Sequence, residues 1–299
     1  MNFTTELTKK IEQCNAWLRE LAPTGDGYHR VIYNAMNYSV SAGGKRIRPA
    51  LALAVCEMFD GDSDELKHFA CAIEFIHTYS LIHDDLPCMD DDDMRRGRPT
   101  NHKVYGDALA VLAGDALLNY AFEVALQSSS DKTVRLLRLI ANASGTNGMI
   151  GGQVIDMKHD DPSQSAVSDD AAMAYDELLT LHKMKTGALI SLSAAVGAVI
   201  GNANDTEMSH IVQFAENLGL AFQVRDDILD VEGSTELLGK KTGSDTNREK
   251  TTFVSLLGME ESKKQLTEFT NKAKSALDMF GDKAEFLRCF ADYLLEREN

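Results

Sequence analysis

The stretch IEFIHTYSLIHDDLPCMDDDDMRRGRP (residues 73–99) decides the fold. It starts as an apolar run and changes, within a few residues, into a run of aspartates followed by two arginines. The apolar part extends upstream to residue 64, and its spacing predicts one long buried helix over residues 64–85. Residues 87–102 are polar, and we expect them to form a loop. Carboxylates at the end of an apolar helix point either into a cavity or into solvent.

A second acidic cluster, DDILD (residues 226–230), also follows an apolar helical stretch, LGLAFQV (residues 218–224). Because an α-helix turns by about 100° per residue, Asp226 and Asp230 lie on one face, one turn apart, and Asp227 points elsewhere. Two like charges at this spacing repel by a few tenths of a kcal/mol on an exposed helix, so something should offset that repulsion. Magnesium, which binds carboxylate oxygens and bridges to phosphate, is the natural candidate.

The first cluster is less regular, and two interpretations of it stay open. On an unbroken helix, His77, Asp84 and Asp91 would share a face. Pro87 disrupts that helix, and Asp90 would then swing round instead. Geometry alone does not choose between Asp90 and Asp91 as a metal ligand. A solvated run of charge is the other explanation for either cluster, but two such clusters argue against it, and the Gly and Glu positions of a calcium-binding EF-hand are not matched.

The rest of the chain is dominated by helical patterns. Apolar spacing predicts roughly ten to eleven helices, and no run has the two-residue period of a convincing strand. Only 5 prolines occur in 299 residues, and no Pro/Ser-rich linker divides the chain. We therefore predict an all-α protein in which residues 1–299 form a single large helical domain. The last long helix before the second polar stretch should end near residue 230, and residues 160–170 and 232–251 should be loops, the latter a possible lid.

The composition excludes several classes of partner and location. A formal net charge of −16 and a pI of about 4.9 repel nucleic acid and anionic lipid headgroups. The five cysteines are widely spaced without a CxxC pair, which favours reduced thiols in the cytosol over disulfides or a zinc site. The first residues lack the pattern of a signal peptide, and no run approaches about 18 uncharged apolar residues. We expect a cytoplasmic protein without stable membrane insertion.

Cations concentrate at a few points of this acidic chain. GGKRIRP (residues 43–49) places three of them after a Gly-Gly turn at a helix start, where backbone N–H groups and guanidinium forks both favour phosphate oxygens. Arg95 and Arg96 follow the first acidic run, and neutralising it is their simplest role. His77, two turns before Asp84 on one helix, is a candidate phosphate donor. Weaker candidates, each with an ordinary structural explanation, are Lys185, Gln223, Lys240, Lys241 and Lys250.

Together these pieces resemble the trans-isoprenyl diphosphate synthases, and among them the bacterial farnesyl diphosphate synthases. The similarity covers nearly the whole chain, in the family's order. Its pieces are GGKRIRP (43–49), IHTYSLIHDDLPCMDDDDMRRGRPT (76–100), GDAL (114–117), GGQVID (151–156), HKMKTGALI (182–190) and GLAFQVRDDILD (219–230). The resemblance implies a homodimer of all-helical chains, each a single bundle with a central cavity.

The resemblance also implies a role for individual residues. The implied magnesium ligands are Asp84, Asp90 and Asp226, supported by Asp85, Asp227 and Asp230, with three ions present when substrate is bound. The implied cradle for isopentenyl diphosphate is Lys45, Arg48, His77 and Arg96. The implied contacts to the allylic diphosphate are Arg95, Lys185 and Lys240. Thr186 and Gln223 would flank the reacting allylic carbon, and together with Lys185 they form the implied catalytic set.

The implied activity is a magnesium-dependent prenyl transfer from dimethylallyl or geranyl diphosphate to isopentenyl diphosphate. The allylic group ionises, the double bond of isopentenyl diphosphate attacks, and a proton is lost to the released diphosphate. Magnesium and cationic side chains stabilise the departing diphosphate. Tyr79 and Ser80 lie about one turn before Asp84, and an aromatic residue at position 79 resembles the stop for a fifteen-carbon product, farnesyl diphosphate.

Other functions stay open on the sequence. A geranylgeranyl diphosphate synthase, with a twenty-carbon product, differs in what blocks the growing chain. A non-catalytic subunit of a heteromeric prenyl synthase typically loses aspartate motifs, and both are intact here. Terpene cyclases and squalene-type synthases have related acidic motifs, but GGKRIRP and the paired arginines argue for an isopentenyl diphosphate site. A plain metal-binding bundle leaves the basic positions unexplained.

Overall fold

The computed structural model describes residues 2–160, 175–237 and 251–296, and most of these residues are helical. The helices are α1 (Phe3–Glu20), α2 (Val31–Val40), α3 (Ile47–Met58), α4 (Ser63–Asp84), α5 (Asn101–Tyr105), α6 (Asp107–Ala125), α7 (Thr133–Ser144), α8 (Met149–Asp160), α9 (Tyr175–His182), α10 (Ala188–Ile200), α11 (Asp205–Leu237), α12 (Phe253–Leu257), α13 (Met259–Ala276) and α14 (Glu285–Glu296). A π-helical turn, Lys183–Gly187, joins α9 to α10, and a 3-10 segment, Asp278–Ala284, joins α13 to α14. The prediction of an all-helical protein is confirmed.

Three local features differ from the sequence prediction. Two-residue strands, β1 (Met94–Arg95) and β2 (Arg98–Pro99), pair antiparallel inside the predicted loop of residues 87–102. The helices α5 and α12 are too short to show a helical period in the sequence. The helix α11 continues to Leu237, so the first residues of the predicted loop 232–251 are helical, while residues 238–250 and 161–170 lie outside the described residues.

The chain divides into two compact units. Unit 1 comprises Met1–Ile140 and Ser193–Ala203, and unit 2 comprises Ala141–Leu192 and Asn204–Asn299. The single domain over residues 1–299 stays a prediction.

The central helix of unit 1 is α4, which packs mainly against α6 and α3. Its side chains are buried on nearly every face, including Phe69, Ile73 and Ile76, as expected for a helix that is apolar all round. The helix starts at the N-cap Asp62, whose carboxylate accepts the N–H of Asp64 at 2.8 Å. It ends at Asp84, so the core helix leads directly into the first acidic cluster.

A buried ion pair fixes the basic turn of unit 1 against α4. Arg46 is 5% exposed and Glu74, on α4, is 2% exposed, and Nη1 of the arginine lies 2.7 Å from Oε1 of the glutamate. The other nitrogens of the same guanidinium group also donate: Nε to Asn15 Oδ1 at 3.0 Å and Nη2 to the carbonyl of Val40 at 2.8 Å. Arg46 also has a φ of 49°, a left-handed conformation that costs free energy for a residue with a side chain. The middle cation of GGKRIRP is therefore a structural residue.

In unit 2 the longest helix is α11, which packs chiefly against α13 and also contacts α9, α12 and the π turn. The core that these helices share contains Leu178, Leu181, Leu220, Ala221, Val224, Ile228, Phe253 and Phe269. The helix α8 also packs against the π turn. A Cβ atom on Gly152 would lie 2.3 Å from the backbone nitrogen of Lys185, so this close approach requires glycine.

Two helical stretches are long and apolar enough to cross a membrane by length and composition alone, although both contain charged residues such as Asp115 and Lys185. They are Asp107–Ala125, which is α6, and Tyr175–Ile200. Of their most apolar windows, 39% and 67% respectively are buried inside the protein. Because buried core helices of soluble proteins pass the same test, these stretches are weak support for a membrane span.

Breaking the buried ion pair should destabilise the protein. We expect Glu74→Gln to lower the free energy of unfolding by about 3–5 kcal/mol, because it leaves the charge of Arg46 buried without a counter-ion. The control Glu20→Gln breaks the surface pair of Lys67 and Glu20, in which the glutamate side chain is 57% exposed, and should cost less than about 1 kcal/mol. Urea unfolding measures both, and equal losses in the two variants would contradict the assignment.

Candidate active site

Unit 1 brings the Gly-Gly turn and the arginine pair together. Arg96, in the turn between β1 and β2, donates from Nη1 to the carbonyl of Gly43. A Cβ atom on Gly44 would lie 2.6 Å from that same nitrogen, and both glycines have positive φ angles of 85° and 132°. Only glycine satisfies both conditions at position 44. Two sequence pieces that are far apart in the chain thus form one surface.

His77, Arg48 and Arg96 form one electrostatic group. Burial lowers the pKa of His77 well below its usual value, and the charges of Arg48 and Arg96 lower it further. Burial also lowers the pKa of Arg48, an effect that Glu74 opposes and Arg96 increases. The Nε atom of Arg48 is buried and has no hydrogen-bond partner among the described residues. Lys45 lies exposed on the Gly-Gly turn just before α3. All four predicted members of the isopentenyl diphosphate cradle therefore belong to unit 1.

Arg95 is held by a different partner. Its Nε and Nη2 atoms both lie 2.6 Å from Oδ1 of Asp85, and Nη2 lies 3.5 Å from Oδ2 of Asp92. Burial raises the pKa of Asp85, and the hydrogen bond from Arg95 opposes that shift. The simplest explanation of the arginine pair is that it neutralises the acidic run. Arg95 does this, because it pairs with Asp85 and Asp92. Its contact with an allylic diphosphate stays a prediction.

The first acidic cluster folds back onto the end of α4. The backbone N–H of Asp90 donates to the carbonyl of Asp84 at 2.8 Å, and the N–H of Asp91 donates to the carbonyl of Leu86 at 3.1 Å. The helix ends before Pro87, and the following turn returns residue 90 to residue 84. This geometry favours Asp90 over Asp91 as the companion of Asp84.

Asp91 belongs to a neighbouring group at the base of the hairpin. Possible ligand atoms of Asp91, Asp93 and His102 lie within 4.8 Å of one another. However, Nζ of Lys103 lies 2.6 Å from Oδ1 of Asp93, so a side-chain cation already neutralises part of this group. We therefore assign no role in the reaction to these three residues.

Tyr79 is buried on α4, and its ring meets that of His83 edge to face, with the centroids 5.7 Å apart. Burial raises its pKa to about 12, and the charge of Asp84 adds to that shift. Its hydroxyl has no hydrogen-bond partner within residues 2–160, 175–237 and 251–296. The hydroxyl of Ser80 donates to the carbonyl of His77 at 2.9 Å. Both predicted chain-length residues thus lie on the helix that ends at Asp84.

In unit 2 the second acidic cluster lies on α11. Asp227 is buried and its Oδ2 accepts the backbone N–H of Phe253 at 2.7 Å. Burial raises the pKa of Asp227 to about 7; this hydrogen bond opposes the shift, and the charges of Asp230 and Asp226 add to it. The neighbours Asp226 and Asp230 are half-buried and exposed. As predicted, Asp227 points away from them, into the protein.

Lys185 and Thr186 lie in the π turn, Lys183–Gly187, at the position where the sequence interrupts two apolar stretches. Turns of this kind are frequent at functional sites. Nζ of Lys185 is paired with Oδ2 of Asp156 on α8, a partner that the sequence reasoning missed although Asp156 ends the quoted piece GGQVID. Gln223 is half-buried on α11, three residues before Asp226. The remaining predicted site residue, Lys240, lies outside the described residues, as do Lys241 and Lys250.

Comparisons with known proteins agree on one family. A family model described as polyprenyl synthetase matches residues 29–287. The chain is 42% identical over 273 residues to the farnesyl diphosphate synthase of Bacillus subtilis, covering 90% of this chain and 89% of that protein. It is 44% identical over 303 residues to the chloroplastic geranylgeranyl pyrophosphate synthase of Capsicum annuum, covering 100% of this chain and 79% of the relative.

A solved structure supports the same grouping. The apo crystal structure of an FPP/GFPP synthase from Zymomonas mobilis is similar with a TM-score of 0.85 and 36% identity, over 98% of this chain and 99% of that chain. The resemblance found in the sequence is therefore confirmed, while the relatives carry both farnesyl and geranylgeranyl names. The chain belongs to the polyprenyl synthetase family and is a trans-prenyltransferase of isoprenoid biosynthesis.

Proposed function

We propose that this prenyltransferase is a magnesium-dependent farnesyl diphosphate synthase, which condenses isopentenyl diphosphate first with dimethylallyl and then with geranyl diphosphate. The observation that carries the proposal is the group of Arg48, His77 and Arg96, because the buried Nε of Arg48 has no hydrogen-bond partner among the described residues. His77 also lies on α4, the helix that ends at Asp84. One member of this group therefore lies on the same helix as the start of the first acidic cluster, while Arg48 lies on α3 and Arg96 in the turn between β1 and β2.

The cationic group is proposed to bind the diphosphate of isopentenyl diphosphate. Desolvated guanidinium groups form strong, charge-assisted hydrogen bonds with phosphate oxygens, and such an oxygen would supply the missing partner of Arg48 Nε. The lowered pKa of His77 keeps its imidazole neutral at pH 7, so it would donate a hydrogen bond without adding charge beside two arginines. Lys45 on the same turn completes the proposed set.

The acidic residues suit magnesium. The proposed ligands Asp84, Asp90 and Asp226 offer only carboxylate oxygens, the hard donors that this ion prefers. Crowding of negative charge contributes to the raised pKa values of Tyr79 and Asp227, and a bound cation would relieve it. When bound, magnesium would neutralise the charge that develops on the leaving diphosphate. Three ions with substrate bound is the proposed number.

The proposed roles of the remaining residues follow from their partners. Asp85 holds Arg95, and Asp156 holds Lys185, so both cations would be positioned before an allylic diphosphate arrives. The uncharged oxygens of Thr186 and Gln223 would stabilise an adjacent allylic cation through their dipoles. Lys240 is proposed as a further contact to the same diphosphate.

The fifteen-carbon product is proposed from Tyr79. Its ring is buried on α4 one turn before Asp84, where it would stop a chain growing along that helix. A second candidate, geranylgeranyl diphosphate synthesis, is favoured by relatives such as that of Capsicum annuum, which carries this name at 44% identity. A non-catalytic subunit is disfavoured because both acidic clusters are present.

We also propose a cytoplasmic homodimer that binds neither nucleic acid nor membranes stably. The five cysteines all lie in described parts of the chain and are free thiols, which suits a reducing compartment. The helix α6 is strongly apolar, yet Val111, Leu112 and Leu126 are 40%, 55% and 63% exposed. An apolar helix face that is left open on one chain is a natural contact for a second copy.

A product assay tests the proposed function. The purified protein, supplied with magnesium, isopentenyl diphosphate and dimethylallyl diphosphate, should form farnesyl diphosphate, and EDTA should abolish the reaction. Asp84→Asn and Asp226→Asn should each lower kcat by about 100-fold or more, because each removes a charged metal ligand. The control Asp131→Asn, at an exposed position outside both acidic clusters, should stay near wild type. Folded protein that forms no prenyl product, as judged by chromatography of the dephosphorylated mixture, would refute the proposal.

Replacing Tyr79 should change product length. Tyr79→Ala removes the ring that would block the growing chain, so products of twenty carbons or more should appear by chromatography. Tyr105→Ala, which removes a ring from α5, serves as the control and should leave the fifteen-carbon product unchanged. Unchanged products from the Tyr79 variant, or twenty-carbon products from the wild type, would show that Tyr79 is not the stop.

A charge on the open face of α6 should separate the proposed dimer. Leu112→Glu is expected to shift the protein toward the monomer mass in sedimentation experiments, because a buried unpaired carboxylate is costly. Val134→Glu places the same charge on an exposed position of α7 and should leave the dimer intact. A monomeric wild type at micromolar concentration would contradict the homodimer.

A further inference from the structure

Phe253, the first residue of α12, contacts two elements of unit 2 that carry proposed site residues. Its ring stacks on the imidazole of His182, with the centroids 5.1 Å apart and the planes 18° apart. Its backbone N–H donates to Oδ2 of Asp227 at 2.7 Å. The ring is fully buried, and Tyr175 meets it edge to face at 6.2 Å. One residue thus connects the end of α9 with the acidic cluster of α11.

Each contact leads directly to residues proposed to act in the reaction. His182 immediately precedes the π turn, Lys183–Gly187, so its ring lies at the start of the segment that carries Lys185 and Thr186. Asp227 follows Asp226 on α11, and a helix fixes the angle between successive side chains at about 100°. Holding the carboxylate of Asp227 therefore also restricts the direction in which Asp226 points.

The backbone at the start of α12 is prepared for this contact. The first N–H groups of a helix have no partner within the helix, which leaves the N–H of Phe253 available to Asp227. Thr252 and Ser255 form a reciprocal cap: Oγ1 of Thr252 accepts the N–H of Ser255 at 3.1 Å, and Oγ of Ser255 accepts the N–H of Thr252 at 2.8 Å. The cap fixes the backbone on either side of Phe253.

Packing alone does not account for the two polar partners. Nε2 of His182 is buried, with no hydrogen-bond partner in the part of the chain that the structure describes. Burial lowers the pKa of His182 to about 4, although the Asp156 carboxylate opposes the shift. Keeping an unpaired imidazole nitrogen and a carboxylate in a core costs free energy. Residues that break the rules of core composition are characteristic of functional sites.

We propose that Phe253 is a positioning residue for prenyl transfer. Its ring fixes the start of the π turn, and its N–H fixes the carboxylates of α11, so that Lys185, Thr186 and Asp226 keep one mutual arrangement. The inference rests on the proposed function, in which these three residues face the allylic diphosphate, the allylic carbon and the metal. Because reaction rates depend steeply on such placement, a small displacement would lower kcat.

Kinetics of matched variants tests the positioning role. Phe253→Leu keeps an apolar side chain but removes the flat face that stacks on His182. Phe269→Leu makes the same change elsewhere in the same core cluster and is the control. With similar melting temperatures, Phe253→Leu should lower kcat by about tenfold or more relative to the control, with smaller changes in KM. Equal kcat values in the two variants would overturn the proposal. If Phe253→Leu does not fold, Phe253→Met, whose flexible side chain fills the space, replaces it.

A spectroscopic readout separates this inference from the proposed function. In protein with isotope-labelled histidine, the ring signal of His182, assigned with His182→Gln, should shift when magnesium and inorganic pyrophosphate are added. The shift should persist in Phe269→Leu and disappear in Phe253→Leu. A shift that persists in Phe253→Leu, or no shift in wild type, would overturn the coupling. Absence of any prenyl product with this pattern intact would instead refute the proposed function and leave the coupling between Phe253 and His182 standing, and a twenty-carbon product would refute the fifteen-carbon assignment alone.

Discussion

The buried ion pair between Arg46 and Glu74 is the interaction on which the proposed diphosphate-binding side of unit 1 depends. It fastens the turn after Gly44 to α4, although Arg46 itself must adopt a left-handed backbone conformation there. The carbonyl of Gly43, in the same turn, accepts a hydrogen bond from the guanidinium of Arg96. A charge pair that is deeply buried contributes less to net stability than to fixing one geometry. Here the pair holds Arg46 in a region where the positive charges of Arg48 and Arg96 also lie close together.

An acidic enzyme that takes diphosphate substrates must overcome its own repulsion. With a net charge of −16, the chain brings Arg48 and Arg96 close to His77, and burial together with these two charges lowers the pKa of that imidazole. The carboxylates of the first acidic cluster have two different kinds of partner. Asp85 is neutralised by Arg95, while Asp84 and Asp90 are brought together by a backbone hydrogen bond, an arrangement that a divalent cation would stabilise.

Unit 2 uses the same principle with different partners. Lys185 is held by Asp156, and Asp227 is held by a backbone N–H rather than by a cation. The π turn bulges where Gly152 lets α8 approach Lys185 closely, so the position of the lysine depends on the absence of one methyl group. In both units, side chains that would contact no substrate decide where the proposed site residues point.

The sequence by itself determined the all-helical fold and both acidic clusters, because apolar periodicity and charge order along a helix are local properties of the chain. It also determined the family, through the resemblance of its motifs and their order. It did not reveal that Arg46 pairs with the buried Glu74. That answer required the tertiary structure, since the partner of a buried charge is set by packing between segments distant in the chain. The choice of Asp90 over Asp91 as a metal ligand stays a prediction. The sequence also did not predict the short hairpin and α12, because elements of two to five residues are too short to show a period.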